Sequence, residues 1–134
     1  MKTILGEPVT PVDYEKVPWV VYSHPEVAWC GLTEEQARER GHEVAVTTHR
    51  FAGDARAMIL GDTEGLVKLV TDADGTLLGA HFAGPWATEL LGEGYLSVNW
   101  EANAADIASL IHPHPTLSEV FGEAALALTG RSIH

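Results

Sequence analysis

Four stretches of the chain have the alternation or the composition of β-strands. Two of them cover residues about 19–23 and 43–50. The other two, residues 65–71 and 76–82, flank Asp72-Ala73-Asp74-Gly75, and an Asp-Gly pair between two apolar runs is a strong hairpin signal. We expect residues 24–31 to turn out of the first strand, because His24-Pro25 follows it directly.

Apolar residues at the helical period of 3.6 predict helices between and after these strands. The first begins at Thr33, which forms a capping box with Gln36, and ends near Gly41. Residues 51–58 form a loop or a short helix. The remaining predictions are a long helix over 86–99, a helix that Asn103 caps and Pro113 ends, and a last helix over 116–128.

These elements predict an α+β fold in which an antiparallel sheet of four or five strands carries packed helices. The prolines of residues 1–17 interrupt any pattern, so we expect an N-terminal arm or linker there, a domain over 18–130 and a short tail over 131–134. The helices present more apolar surface than one face of such a sheet requires. This excess indicates a protein–protein surface.

The segment His112-Pro113-His114-Pro115-Thr116-Leu117-Ser118-Glu119 contains the best candidate chemistry. Each proline biases the histidine before it toward extended geometry. Thr116 is expected to cap the last helix, with Glu119 at its third position. A histidine beside a carboxylate can accept and return protons near neutral pH, so His114 and Glu119 are candidate acid/base residues.

Two simpler interpretations of the same segment stand beside this one. In the first, Thr116 and Glu119 form only a capping box, and His114 is a surface loop residue. In the second, His112 and His114 belong to a metal site, because His-x-His is a genuine ligand spacing. The chain supplies no third ligand at a diagnostic spacing, so we expect no metal.

The sequence of this segment resembles the C-terminal end of dihydrolipoamide dehydrogenases, a family of flavin-dependent disulfide reductases. Further similarity lies in Val-Val-Tyr-Ser-His-Pro-Glu-Val-Ala-Trp, Arg-Ala, Gly-Leu-Val-Lys and Leu-Gly-Ala-His, so that the resemblance covers most of residues 17–129. The resemblance implies the dimerisation (interface) domain of such an enzyme. It also implies that His114 is the acid/base group, that Glu119 orients it, and that the His114-Pro115 bond is cis.

The same resemblance implies how this domain cooperates with the rest of an enzyme. FAD and NAD serve the complete enzyme, and the backbone of His114 and Pro115 approaches the FAD of a partner subunit in a homodimer. Neither cofactor is expected on this chain alone, because it has no GxGxxG motif and Cys30 is its single cysteine. Cys30 lies among apolar residues and is expected to be a small buried side chain. The dithiol and flavin must then come from the FAD- and NAD-binding part.

The net charge of −11 is distributed unevenly. After Lys68 the only basic residue is Arg131. Nucleic acid is therefore an unsuitable partner, and no stretch is apolar enough to span a membrane. The acidic half matches a basic partner, and the resemblance implies the subunit-binding domain of an acyltransferase. The alternative is that the acidic face is only solvated and binds no partner. The N-terminus has no secretory signal, so we expect a cytoplasmic chain.

Two functions follow as expectations. In the first, the domain supplies the His114–Glu119 acid/base pair to the flavin site of a partner subunit. In the second, it is a non-catalytic dimerisation and docking module. A related enzyme, such as glutathione or mercuric reductase, is a further alternative, but Leu-Ser-Glu after His-Pro-Thr favours the lipoamide branch. His49 is expected at the surface or at a sheet edge, His81 in the core or at an edge, and His24 in a structural role.

Overall fold

The computed structural model describes residues 1–131, so the part of the predicted tail from residue 132 onward lies outside the described residues. The described chain forms five strands and five α-helices. The strands are β1 Trp19–Val21, β2 Glu26–Gly31, β3 Ala45–Arg50, β4 Leu66–Thr71 and β5 Leu77–Gly84. The helices are α1 Glu34–Glu39, α2 Ala55–Leu60, α3 Ala87–Asn99, α4 Ala104–Ser109 and α5 Glu119–Leu128. Short 3₁₀ turns occur at Lys2–Leu5, Tyr14–Lys16 and Phe51–Gly53.

The strands form one antiparallel sheet in the order β1-β2-β5-β4-β3. The predicted α+β class with an antiparallel sheet and packed helices is therefore confirmed. The hairpin of β4 and β5 is also confirmed, and the carboxylate of Asp72 closes its turn by accepting from the backbone of Asp74 and Thr76. Gly75 has a positive φ of 86° there, which glycine adopts without steric cost.

The prediction of a turn over 24–31 is wrong, because Glu26–Gly31 is a strand. Only residues 22–25 reverse the chain, and Val21 then pairs with Val27. Both faces of this strand carry apolar side chains, with Ala28 and Cys30 on the buried face and Val27 and Trp29 on the other. Its polar–apolar alternation is consequently weak.

One face of the sheet carries α3, which packs on β2 and β5, and α5, which packs on β3 and β4. Cross-strand partners share a face, so the side chains of Ala28, Phe82 and Val67 all point toward these helices. Phe82 stacks on Phe121 of α5, with ring centroids 6.1 Å apart. Gly94 lets α3 approach closely, because a Cβ there would lie 2.9 Å from Cβ of Ala80.

The opposite face is covered only over part of its area. A β-bulge leaves Leu78 without a partner on β4, and Leu78 packs with Val70 and Ala37 of α1 in a smaller cluster. Helix α1 has the predicted capping box between Thr33 and Gln36. At the β1 end of this face, Trp19 and Trp29 stack on each other, with ring centroids 6.2 Å apart.

The expectation that His49 lies at the surface or at a sheet edge is confirmed, because His49 is on the edge strand β3, and its side chain is buried there. It pairs with Val67 and therefore points to the helix-covered face of the sheet. Residues 13–17 are also tied to the domain, because Glu15 bonds to Arg40 and Lys16 bonds to Glu101.

The N-terminus of α3 is capped from a strand rather than from its own sequence. Trp86 precedes the helix with a positive φ of 60° and provides no side-chain cap. Instead, Glu26 Oε2 accepts from the backbone N–H of Thr88 at 3.0 Å and from its hydroxyl at 2.7 Å. These hydrogen bonds lower the pKa of the Glu26 carboxyl, and α3 is thereby fixed to β2.

Removing this cap is expected to destabilise the domain. Glu26→Ala leaves the N–H of Thr88 without an acceptor, and the loss of a helix cap costs about 1 kcal/mol. Glu26→Gln keeps an amide oxygen as acceptor, so its loss is expected to be smaller. Urea unfolding at pH 7 measures both changes, with Glu7→Ala on the exposed N-terminal segment as the control. Equal midpoints for wild type and Glu26→Ala would contradict the assignment.

Candidate functional site

The His-Pro-His-Pro segment connects α4 to α5 in an extended path. The His114-Pro115 peptide bond is cis, as the resemblance implies, and His24-Pro25 is also cis. The prediction that Thr116 caps the last helix is wrong, because α5 begins at Glu119 after a tight turn. The hydroxyl of Thr116 donates instead to the carbonyl of Pro113 at 2.7 Å. This bond closes the segment on itself just before the helix.

His114 and Glu119 form a hydrogen-bonded pair at the start of α5. His114 Nδ1 lies 2.9 Å from Glu119 Oε1 and 3.2 Å from Oε2. Since an ionised carboxylate can only accept, Nδ1 carries the hydrogen, and Nε2 of a neutral ring is left with its lone pair. The His114 side chain is 69% exposed and that of Glu119 is 23% exposed. The imidazole can therefore take a proton from a molecule outside this domain.

The Glu119 carboxylate is held in place by a second hydrogen bond. Its Oε2 accepts from the backbone N–H of Thr116 at 2.8 Å. Burial works to raise the pKa of this carboxyl, but the bonds from Thr116 and His114 and the charges of His114 and His112 lower it overall. Glu119 is thus ionised at neutral pH and fixes both the tautomer and the orientation of His114.

The sequence did not reveal that His112 also has a carboxylate partner. Its Nε2 lies 2.8 Å from Glu93 Oε1 on α3, and the side chain is only 12% exposed. The two histidines of the His-x-His spacing therefore bond to carboxylates on different helices. Residues 1–131 contain no group of three or more His, Cys, Asp or Glu side chains placed to hold a metal ion.

The remaining titratable candidates lie away from this site. His81 is half-buried on β5 with Nε2 3.0 Å from the carbonyl of Leu32, and burial lowers its pKa. Cys30 is fully buried, as predicted, and its Sγ donates to the carbonyl of Lys16. Burial raises the pKa of this thiol to about 11, so it is not a reactive thiolate at neutral pH.

Large apolar side chains remain exposed on several elements, in agreement with the excess of apolar surface predicted from the helices. Trp86 and Trp100, at the two ends of α3, are 59% and 76% exposed, and Ile111 is 98% exposed. Trp86, Leu60 and Pro115 line an open cavity of about 480 Å³ beside the His-Pro segment. Surface patches of this type are characteristic of proteins that assemble with other chains.

The fold and the site together define a class: an antiparallel-sheet domain, backed by helices, that carries an exposed histidine hydrogen-bonded to a glutamate. The chain belongs to the family described as pyridine nucleotide-disulphide oxidoreductase, dimerisation domain, whose model matches residues 17–125. Within that family it is similar to dihydrolipoyl dehydrogenases.

Curated relatives support this placement. The chain is 46% identical over 125 residues to the mitochondrial dihydrolipoyl dehydrogenase of Schizosaccharomyces pombe, covering 92% of this chain and 24% of the relative. It is 46% identical to the human mitochondrial enzyme and 42% identical to that of Bacillus subtilis, covering 25% and 26% of their lengths. The chain thus spans about a quarter of the relatives it matches.

Solved structures of disulfide reductases share the fold. LpdA from Mycobacterium tuberculosis superposes with a TM-score of 0.86 at 25% identity, covering 95% of this chain and 28% of that one. The HOCl-induced flavoprotein disulfide reductase RclA from Escherichia coli gives 0.83 at 28% identity, covering 92% and 29%. Across residues 1–131, none of the helices combines the length and apolarity needed to cross a membrane.

The lowered pKa of Glu119 predicts a pH-dependent contribution to stability. A carboxyl whose folded pKa lies below its ordinary value of 4.5 stabilises the fold above that value, and the contribution is lost as the pH falls through the folded pKa. Wild type is expected to exceed Glu119→Gln in stability at pH 6, and the difference is expected to shrink toward pH 3. Urea unfolding across this range tests it, with Glu35→Gln on exposed α1 as the control. A constant difference would contradict the prediction.

Proposed function

We propose that this domain supplies the acid/base pair of a dihydrolipoamide dehydrogenase, with His114 as the proton acceptor and Glu119 as its orienting partner. The observation that carries the proposal is the bond between His114 Nδ1 and the ionised Glu119, which leaves an exposed imidazole with a free lone pair on Nε2. A thiol becomes a nucleophile only as its thiolate, so a proton acceptor at this position has a direct use.

The proposed reaction is a thiol–disulfide exchange that begins with a proton transfer to His114. His114 Nε2 takes the proton of one dihydrolipoyl thiol, and the resulting thiolate attacks one sulfur of a redox disulfide in the partner subunit. A mixed disulfide forms and the other sulfur leaves as a thiolate. The second dihydrolipoyl thiol gives its proton to the thiolate released first, and its sulfur attacks the lipoyl sulfur of the mixed disulfide. The lipoyl disulfide closes, the bond to the partner breaks and the second partner sulfur leaves as a thiolate, so the substrate loses two electrons and the partner gains them. Glu119 stabilises the imidazolium throughout by its bond to Nδ1.

In the complete enzyme, a bound FAD would supply the electron transfer between the reduced dithiol and NAD. We propose that the backbone of His114 and Pro115 approaches the FAD of the partner subunit. The exposure of both residues supports this proposal, because a group held by another chain can reach them. A homodimer follows from the same arrangement, since the pair and the disulfide lie in different subunits. The domain limits and the cytoplasmic location expected from the sequence stay predictions.

The role of His114 predicts a large kinetic loss without loss of cofactor. His114→Ala in the assembled enzyme is expected to lower turnover of dihydrolipoamide by about 10²–10⁴-fold, which is the usual contribution of a general base. FAD absorbance and the melting temperature are expected to stay at wild-type values, because the side chain is mostly exposed. His42→Ala, on an exposed turn, is the control. Unchanged turnover of His114→Ala would remove the proposed role.

A second function is supported by the charge distribution. Asp74, Glu89, Glu101 and Asp106 are exposed in the half of the sequence in which Arg131 is the only basic residue after Lys68. Trp100 is also exposed directly before Glu101, and aromatic residues are enriched at interfaces. We therefore also propose that this surface docks a basic subunit-binding domain of an acyltransferase.

Docking of this type is expected to depend strongly on salt. The Kd for a purified basic subunit-binding domain is expected to rise at least tenfold between about 0.05 and 0.5 M NaCl, because salt screens exposed charges. Asp106→Asn is expected to weaken binding and flatten that dependence, whereas Glu7→Gln on the N-terminal segment serves as the control. Salt-independent binding would argue against the docking function.

A further inference from the structure

His112 lies two residues before His114 in the same segment, and the proposed reaction does not use it. It is the less accessible of the two, with a side chain 12% exposed against 69% for His114. Its Nε2 bonds to Glu93 of α3, whereas the segment that follows leads into α5. The side chain therefore connects the His-Pro segment to a residue of α3 that lies 19 positions earlier in the sequence.

The slot that holds the His112 ring is provided by α5. A Cβ on Gly122 would lie 2.7 Å from both Cε1 and Nδ1 of the ring, which is closer than side chains tolerate. The bond to Glu93 and the surface of Gly122 therefore fix the ring on two sides. Because Pro113 stiffens the chain between the two histidines, a fixed His112 restricts where His114 can lie.

His112 and Glu119 also line the same cavity of about 200 Å³. The charged groups that bond to the ring or line this cavity are Glu93 from α3 and Glu119 and Glu123 from α5. Helix α4 and the residue after it contribute only the uncharged Ala108 and Leu110. One imidazole thus lies among three carboxylates, and one of them belongs to the acid/base pair.

We propose that His112 is a positioning residue for the His114–Glu119 pair, acting through its bond to Glu93 and through its placement beside the Glu119 carboxylate. The inference rests on the proposed function, because it assigns His112 a part in the same site. The charge of His112 is among the causes that lower the pKa of Glu119, which agrees with this placement. His112 thereby favours the ionised form of Glu119.

Two substitutions separate the mechanical link from the electrostatic one. His112→Gln keeps an N–H that can donate to Glu93 but cannot take up a proton, whereas His112→Ala loses both properties. With either variant Glu119 loses one cause of its low pKa and takes up a proton at higher pH. Glu119 then stops orienting His114 at a higher pH, so the acid limb of kcat/KM for dihydrolipoamide is expected to move upward.

Turnover supplies a second signature in the assembled enzyme. His112→Ala is expected to lower kcat about tenfold with KM within about twofold of wild type, because the pair is misplaced while substrate still binds. His112→Gln is expected to recover most of kcat while keeping the shifted acid limb. FAD content and melting temperature report folding, and His42→Gln on an exposed turn is the matched control.

A measurement on this 134-residue chain makes the test independent of the flavin. Carbon-13 NMR titration of the Glu119 carboxyl is expected to show a higher pKa in His112→Gln than in wild type. An unchanged Glu119 titration and an unshifted acid limb overturn the inference, even if turnover falls, because a loosened segment alone gives that result. Full turnover in His114→Ala is a different outcome, which removes the proposed function and the kinetic part of this inference with it.

Discussion

The site depends on one carboxylate that accepts hydrogen bonds from two directions. Glu119 receives the backbone N–H of Thr116 through Oε2 and the ring N–H of His114 through both oxygens. The first bond fixes the carboxylate to the chain that precedes the helix, and the second fixes the histidine to the carboxylate. Because the backbone bond offsets the cost of burial, Glu119 stays charged and can orient an imidazole that faces solvent.

The packing of α5 on the sheet determines where this carboxylate lies. Val120 and Phe121, directly after Glu119, are buried, and Phe121 stacks on Phe82 of the central strand β5. The first turn of the helix therefore cannot shift without disturbing the core. An acid/base residue needs a position accurate to a fraction of an ångström, and a side chain adjacent to a packed core meets that need better than one on a free loop.

Helix α3 connects the sheet to the His-Pro segment. Its N-terminus is capped by Glu26 of β2, its centre packs on Ala80 through Gly94, and Glu93 beside that glycine bonds to His112. The same helix is thus attached to the sheet and to the His-Pro segment. Its two ends carry the exposed Trp86 and Trp100, so surfaces suited to partner chains lie on the helix that braces the site.

Local sequence signals determined the class of fold, the β4–β5 hairpin and the capping box of α1, because each arises from residues a few positions apart. His114 and Glu119 are likewise only five residues apart, so the chain brings their side chains within hydrogen-bonding distance of each other. The strand over 26–31 was missed, because a strand with two apolar faces lacks a clear alternation. The bond between His112 and Glu93, the cap from Glu26 to Thr88 and the burial of His49 were decided only by the tertiary structure. Each depends on side chains that distant elements bring together, and no pattern along the chain encodes which neighbour a sheet or a helix will place opposite.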